Sequence, residues 1–385
     1  MEKIKELIHT RKKEFRGFST EEKLLYINSI CMFLPFFLVG IPFLITVIYC
    51  LVKKDVRKEV FSVTHSISFL AFGFVGFFAA IFNKNLWGFL GGIFILLLIV
   101  FSFMSRAYMT RKLFSLITDN ICYLSVISFF IGMADYLIRY SPDSEHRTAS
   151  TFFNANYYAF IIEFVVIICL YKITKHPYRW RVYLAIAFIN CLGILFCKTR
   201  TALIAIFIGV SFFFFFTKQY KFFAVCFGLA AFALIGMITM PEEFLIRYDT
   251  FLWSVQDRLA IWATAFKGLT HRPIFGQGLW AYLKIYELKG GQFAINAHCI
   301  WLDIFLSFGI VGTSFVSYYF SKTLYNLKKQ VHVNAFYHEY SLVLALFMCA
   351  LVHCTTDLAI TGIETSIMAM LLFGIVGNGK KLLMD

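Results

Sequence analysis

Four residues in the second half of the sequence carry groups able to hold a phosphate and take up a proton. Arg147 opens the polar run RTASTFFNAN, Arg200 sits in CKTRTALIAIF, Arg258 in DRLAIW and His298 in INAHCIWLDIF. Arginine offers a planar fork of donors and keeps its charge, which suits a diphosphate. Histidine is the side chain suited to removing a hydroxyl proton near neutral pH. Three arginines and one histidine at the ends of different apolar segments therefore suit a diphosphate-bearing lipid and a proton acceptor. Each also has a plainer reading. Arg200 can be an anchor snorkelling to headgroups, and Arg258 can pair with Asp257 or face solvent. Arg147 can stand beside asparagines that cap the next helix, and His298 can be a satisfied interfacial hydrogen-bonder. No DxD pair or His/Asp cluster has metal-ligand spacing here, so arginine rather than a divalent ion would neutralise the diphosphate, and no cofactor is expected.

The elements that must position these groups are membrane spans. The 385 residues are 60% hydrophobic and 15% charged, with a mean hydropathy of +0.74. Soluble domains run near about 45–50% apolar and about 25% charged. The 48 phenylalanines, with Leu and Ile, lie in long blocks that water would not tolerate on a surface. A cytosolic enzyme, a secreted disulfide scaffold and a disordered chain are all excluded. The ten cysteines sit mostly inside apolar runs without a CxxC pair and read as small buried hydrophobes. The first 23 residues are polar and basic and lack a cleavable signal pattern.

Apolar blocks fall at 24–37, 40–52, 61–82, 86–104, 113–134, 157–172, 181–197, 201–216, 222–240, 299–320, 338–354 and 360–378. The first two are one stretch broken by Pro35, Gly40 and Pro42, and the chain is expected to turn back at Phe37–Pro42. Loop charge supports that turn, because it puts 25 of the 36 Lys and Arg on one side, the cytoplasmic one, and 11 on the other. The net charge of +14 is thus a topology signal and not a nucleic-acid signal. The expectation is an all-α polytopic membrane helix bundle of about twelve spans with both termini cytoplasmic. Its parts are a basic cytoplasmic segment (1–23), nine spans (24–240), an extracytoplasmic loop (241–298) and three further spans with a short tail (299–385).

A 58-residue outer loop in so economical a chain is expected to be functional. Its stretch Asp257–Leu269 has helical periodicity, and Gly276-Gln277-Gly278 reads as a turn, too weak a pattern for a nucleotide loop. Trp253, Trp262 and Trp280 are interfacial belt or sugar platforms, the belt being the plainer reading. Glu163, about two turns into the sixth span, is costly there. It pairs with an arginine from a neighbouring span or touches an acceptor sugar. Asp357 and Glu364 flank the start of the twelfth span as candidate acceptor contacts or supports. Asp303 is more than a turn from His298 and is no obvious orienter of its ring. His65 and His353 are expected to be hydrogen-bonded inside the bundle.

Four stretches resemble the bacterial O-antigen ligase and O-antigen polymerase-like membrane proteins. They are RTASTFFNANYYA from Arg147, KTRTALIA from Lys198, DRLAIWATAFKGLTHRPIFGQGLWAY from Asp257 and AHCIWLDIFLSFGIVG from Ala297. Their order, their spacing and the long outer loop are similar to that family as well. The resemblance implies a C-type glycosyltransferase-like fold in the bacterial cytoplasmic membrane. It also implies transfer of glycans from undecaprenyl diphosphate at the outer face. Residues matching Arg200 and Arg258 would bind the donor diphosphate, with Arg147 a further carry-over of that kind, and His298 would be the base. One departure stands out: the family commonly has Asn after the histidine, where this chain has Cys299.

The partners implied are an undecaprenyl-diphosphate-linked oligosaccharide, an acceptor glycan and membrane lipids, with a flippase and a chain-length regulator as candidate protein partners. Repeat-unit polymerase of a surface polysaccharide is the reading adopted. The alternative is ligase-type transfer of a finished glycan to lipid A–core or another acceptor. A polysaccharide or lipid-linked sugar transporter stays open as a reading of another class, since twelve spans with both ends inside is also a transporter layout.

Overall fold

Polar caps cut the apolar runs into helices. Ser19 and Glu22 form a reciprocal capping box at the start of α1 (Thr20–Cys31), and Asn85, Thr110 and Asn154 each accept an amide in the first turn of a later helix. The computed structural model describes residues 14–141, 146–239, 251–331 and 337–377. After α1 come α2 (Phe36–Val52), α3 (Lys54–Phe61), α4 (Ser66–Phe82), α5 (Leu86–Tyr108), α6 (Arg111–Ile138), α7 (Ala155–Lys175) and α8 (Trp180–Cys197). The second half holds α9 (Arg200–Phe216), α10 (Tyr220–Thr239), α11 (Phe251–Leu269), α12 (Tyr282–Lys289), α13 (Ile300–Val331), α14 (Tyr337–Cys354) and α15 (Ile363–Phe373). No strand occurs among the described residues.

The chain is a polytopic helical membrane protein. Among the described residues six helices are long and apolar enough to cross a bilayer: α5, α6, α7, the Pro177–Cys197 segment, Ile300–Leu327 and α14. Four shorter apolar helices, at Ser66–Phe82, Arg200–Phe216, Tyr220–Gly236 and Ile363–Val376, pack among them. The most buried span is α7, wrapped by α6, α8, α9, α14 and α15, and it carries Glu163 to the middle of the bundle.

The front of the chain differs from expectation. In place of a span at 24–37 there is a 12-residue helix, roughly 18 Å long. The turn back falls at residues 32–35, with Pro35 as N-cap of α2, and Pro42 lies inside α2. Beside it, Thr46 Oγ1 donates to the Pro42 carbonyl at 2.7 Å, and Asn28 Nδ2 donates to Thr46 Oγ1 at 2.7 Å, which ties α1 to α2. The amphipathic α3 then breaks from α2 at 96°. Residues 1–13 of the expected basic segment, 240 at the end of the expected ninth span, 241–250 of the expected loop and 378–385 of the expected tail lie outside the described residues.

The connections sort to two ends. One end gathers the segments with expected cytoplasmic charge: Lys172 pairs with Asp119 at 2.8 Å, Lys175 and Arg111 share Glu339, and Arg106 donates to Thr64 and Tyr319. At the other end the turn at 83–85 meets residues 276–279, where Asn83 donates to the Gly276 carbonyl and Asn85 to those of Gln277 and Leu279. His65 stands at the N-cap of α4 with its ring edge against Tyr318, and not within the bundle core.

The outer segment folds as a lobe with its own small core. Ile261 and Ala265 of α11 pack with Tyr282 and Ile285 of α12, and with Cys299, Leu302 and Leu306 of α13. The expected turn at Gly276–Gly278 does more than reverse the chain. Helix α13 is broken at Gly309 (φ 60, ψ −168), and the turn is spliced into the break. The Gln277 and Gly278 amides donate to the carbonyls of Leu306 and Ser307, while the Ile310 and Val311 amides donate to those of Pro273 and Ile274. The polar groups orphaned by the break are thereby satisfied.

Candidate functional site

The loop after α6 returns to the end of α8. There Arg147 donates from Nε to the Cys197 carbonyl at 2.9 Å, and from one terminal nitrogen to Thr199 Oγ1 at 2.8 Å and Asn156 Oδ1 at 2.5 Å. The bonds to the end of α8 use a carbonyl left open by its last turn. Arg200 begins the next helix two residues after the left-handed Lys198 (φ 48). From the lobe, Arg258 on α11 reaches across, donating through Nε to the Thr356 carbonyl at 3.0 Å and through a terminal nitrogen to Ser254.

These groups enclose a cavity of about 500 Å³ lined by Arg147, Lys198, Arg200 and Arg258, with Asn156, Asp257 and Asp357 among the other polar walls. Trp253, largely exposed, lies at the same wall, whereas Trp262 and Trp280 pack against the cores.

His298 does not itself line the cavity but adjoins it through Asp357, which does. Its Nδ1 is 3.3 Å from Asp357 Oδ1, and the other oxygen of Asp357 accepts from Asn156 Nδ2. Burial alone would raise the Asp357 carboxyl, but the hydrogen bond and charge of His298, with His353 and Arg258 adding to them, hold it below the usual carboxylate range. An ionised Asp357 fixes Nδ1 as the donor and leaves Nε2 to accept a proton. The imidazole is one-third exposed, enough to meet a substrate. Its backbone is left-handed (φ 48) and is held from both sides: the His298 amide donates to Asn296 Oδ1 and the Ala297 amide to Asp303 Oδ2, each at 2.9 Å. Asp303 thus acts on the loop, although it does not touch the ring. Cys299 leaves no gap where the family has Asn, because its side chain fills the lobe's core.

Two expected contacts fall away from the cavity. Glu163 is fully buried and meets His353 Nδ1 at 2.5 Å, so it has no surface to offer an acceptor sugar. Glu364 is also fully buried, in the first turn of α15 where that helix packs against the bundle, and it is not among the lining residues. Lys198 and Asn156 were missed in the sequence, and His353 was expected to be hydrogen-bonded inside the bundle, as it is, but not to line this cavity. Lys198 was legible as a second cation in KTR. Asn156 was hidden in a run read as a helix cap.

Residues 185–317 match the family model described as O-antigen ligase. Over those 133 of its 385 residues the chain is similar to an O-antigen ligase domain. That domain spans α8 to the first half of α13 and contains Arg200, Arg258 and His298, while Arg147 and Asp357 reach it from flanking segments. O-antigen ligase family members are glycosyltransferase-like enzymes of the bacterial inner membrane acting on lipid-linked glycans and acceptors. No curated protein matches the chain.

Proposed function

We propose that the protein transfers a glycan from undecaprenyl diphosphate to a sugar hydroxyl at the outer face of the bacterial cytoplasmic membrane, with inversion and without a metal ion. The observation that carries this is the His298–Asp357 pair at 3.3 Å, whose Asp357 lines a cavity walled by four cationic side chains. In this reading the diphosphate lies against Arg200 and Arg258, with Lys198 and Arg147 completing the positive wall. The acceptor hydroxyl gives its proton to His298 Nε2 while its oxygen forms the new bond to the anomeric carbon. The bond from that carbon to the phosphate oxygen breaks, and undecaprenyl diphosphate leaves with the electron pair. Asp357 carries the imidazolium charge through Nδ1–H, and the arginines meet the charge growing on the leaving group. No ATP is required, because the donor is already activated.

The acceptor decides whether this chemistry polymerises repeat units or ligates a finished glycan, and polymerisation is the form proposed. Cations gathered at one end favour transfer over transport, which needs a site reachable from both sides. The test uses purified protein with a lipid-linked repeat unit. Wild type should give lengthening lipid-linked chains, and His298→Ala should lose about two to four orders of magnitude in rate. Normal transfer by His298→Ala rejects the mechanism. Long chains that stay on the lipid carrier in a deletion strain, with none on the final acceptor, make the protein a ligase.

A further inference from the structure

Behind the cationic wall lies a second histidine with its own carboxylate. Glu163 of α7 and His353 of α14 are both 0% exposed, with Glu163 Oε1 2.5 Å from His353 Nδ1 and the other Glu163 oxygen 3.4 Å from Cys349 Sγ. The far nitrogen of the ring, Nε2, is buried and has no hydrogen-bond partner. An unpaired nitrogen of this kind costs about 1–3 kcal/mol in a native protein and calls for an explanation. His353 is one of the residues lining the cavity that holds Arg147, Lys198, Arg200 and Arg258, and its ring feels the charges of Asp357 and Arg258. The Phe160 ring packs edge-on at 5.5 Å and offers nothing polar.

We infer that His353 is a further diphosphate-binding residue, donating from Nε2–H to a phosphate oxygen while Glu163 holds its Nδ1–H. This rests on the donor-binding reading given above. The chemistry needs no new reactant: Glu163 supplies the counter-charge that keeps a proton on each ring nitrogen, and the anion accepts one of the two N–H groups. The pair is matched to an anion, because a buried imidazolium facing four cations is tolerable only with a carboxylate on one side and a phosphate on the other. Removing the pair weakens ground-state binding of the diphosphate, whereas removing His298 stops the chemistry.

The test is inorganic pyrophosphate binding to the purified full-length protein in detergent, followed by calorimetry alongside thermal melting. A double variant, Glu163→Leu with His353→Phe, replaces the buried pair by apolar groups, an exchange that folded proteins often accept. It should melt near wild type and bind pyrophosphate about 10- to 100-fold more weakly, the loss of one charge-assisted hydrogen bond. Glu163→Gln keeps the partner but not its charge, and should weaken binding by a smaller factor. Equal binding in wild type and the double variant overturns the inference. Should the double variant not fold, equal binding by Glu163→Gln overturns it. A wild-type protein that binds no pyrophosphate sinks the diphosphate reading itself, which separates the two failures.

Discussion

The Asp303 carboxylate accepts the Ala297 amide at 2.9 Å, so the first turn of α13 reaches back and fixes the residue just before His298. Asp303→Ala should leave that buried amide unpaired, at about 1–3 kcal/mol, and let the left-handed His298 backbone relax. Sugar transfer should fall by about 10- to 100-fold in kcat, with donor KM little changed. Steady-state kinetics on lipid-linked donor check this, and a change confined to KM would contradict it.

The arginines differ in which segments they tie together. Arg147 spends its bonds on Cys197, Thr199 and Asn156, which staple the loop to α8. Arg147→Ala should therefore lower the melting temperature. Arg258→Ala and Arg200→Ala should instead cut transfer by about 100- to 1,000-fold, the scale for one lost anion-stabilising donor. Arg258→Lys should rescue poorly, because a lysine has no Nε to reach the Thr356 carbonyl while facing the anion. Melting curves and donor kinetics on the four variants decide it.

Acid titration should report Asp357. Its carboxyl is held below the usual range, so its contribution to stability is present above the unfolded value of about 3.9 and lost as pH falls through the native one. The stability gap between wild type and Asp357→Asn should stay level from about pH 5 to 7 and close below about pH 4. Thermal melts across that range test it, and a gap that grows on acidification would refute it.

Gly309 offers a fourth test. A Cβ there would lie 2.4 Å from the Ile274 carbonyl oxygen, in a backbone conformation at φ 60 that other residues rarely adopt. Gly309→Ala should cost at least about 2 kcal/mol and loosen the lobe. Gly228→Ala on α10, where a Cβ meets nothing within 4 Å, is the control and should cost nothing. Protease sensitivity of the 270–280 turn reads out the difference.

Hydropathy was enough to read an all-helical membrane chain, since long apolar runs leave few alternatives in a bilayer, but of the twelve expected spans six are long and apolar enough to cross one among the described residues. Proline misled at the first hairpin: Pro35 marks the turn, whereas Pro42 lies inside α2, where Asn28 and Thr46 bond to its carbonyl. At the site, the three arginines and His298 were visible as cations and an imidazole away from the expected cytoplasmic side. Their supports were not. Asp357 is 59 positions from His298, and His353 is 190 from Glu163. Pairings across such separations come from helix packing, and periodicity says nothing about them. Glu163 and Glu364 are both acids in apolar helices, and only packing separates the one behind the cavity from the one elsewhere in the bundle.

The splice between the glycine turn and the broken helix has a mechanical result. His298 rides two residues ahead of α13, and the lobe is riveted to that same helix by four main-chain links, one pair on each side of Gly309. Any swing of the lobe drags the imidazole's footing with it. A change at the splice is therefore carried along the first half of α13 to the loop that holds the imidazole.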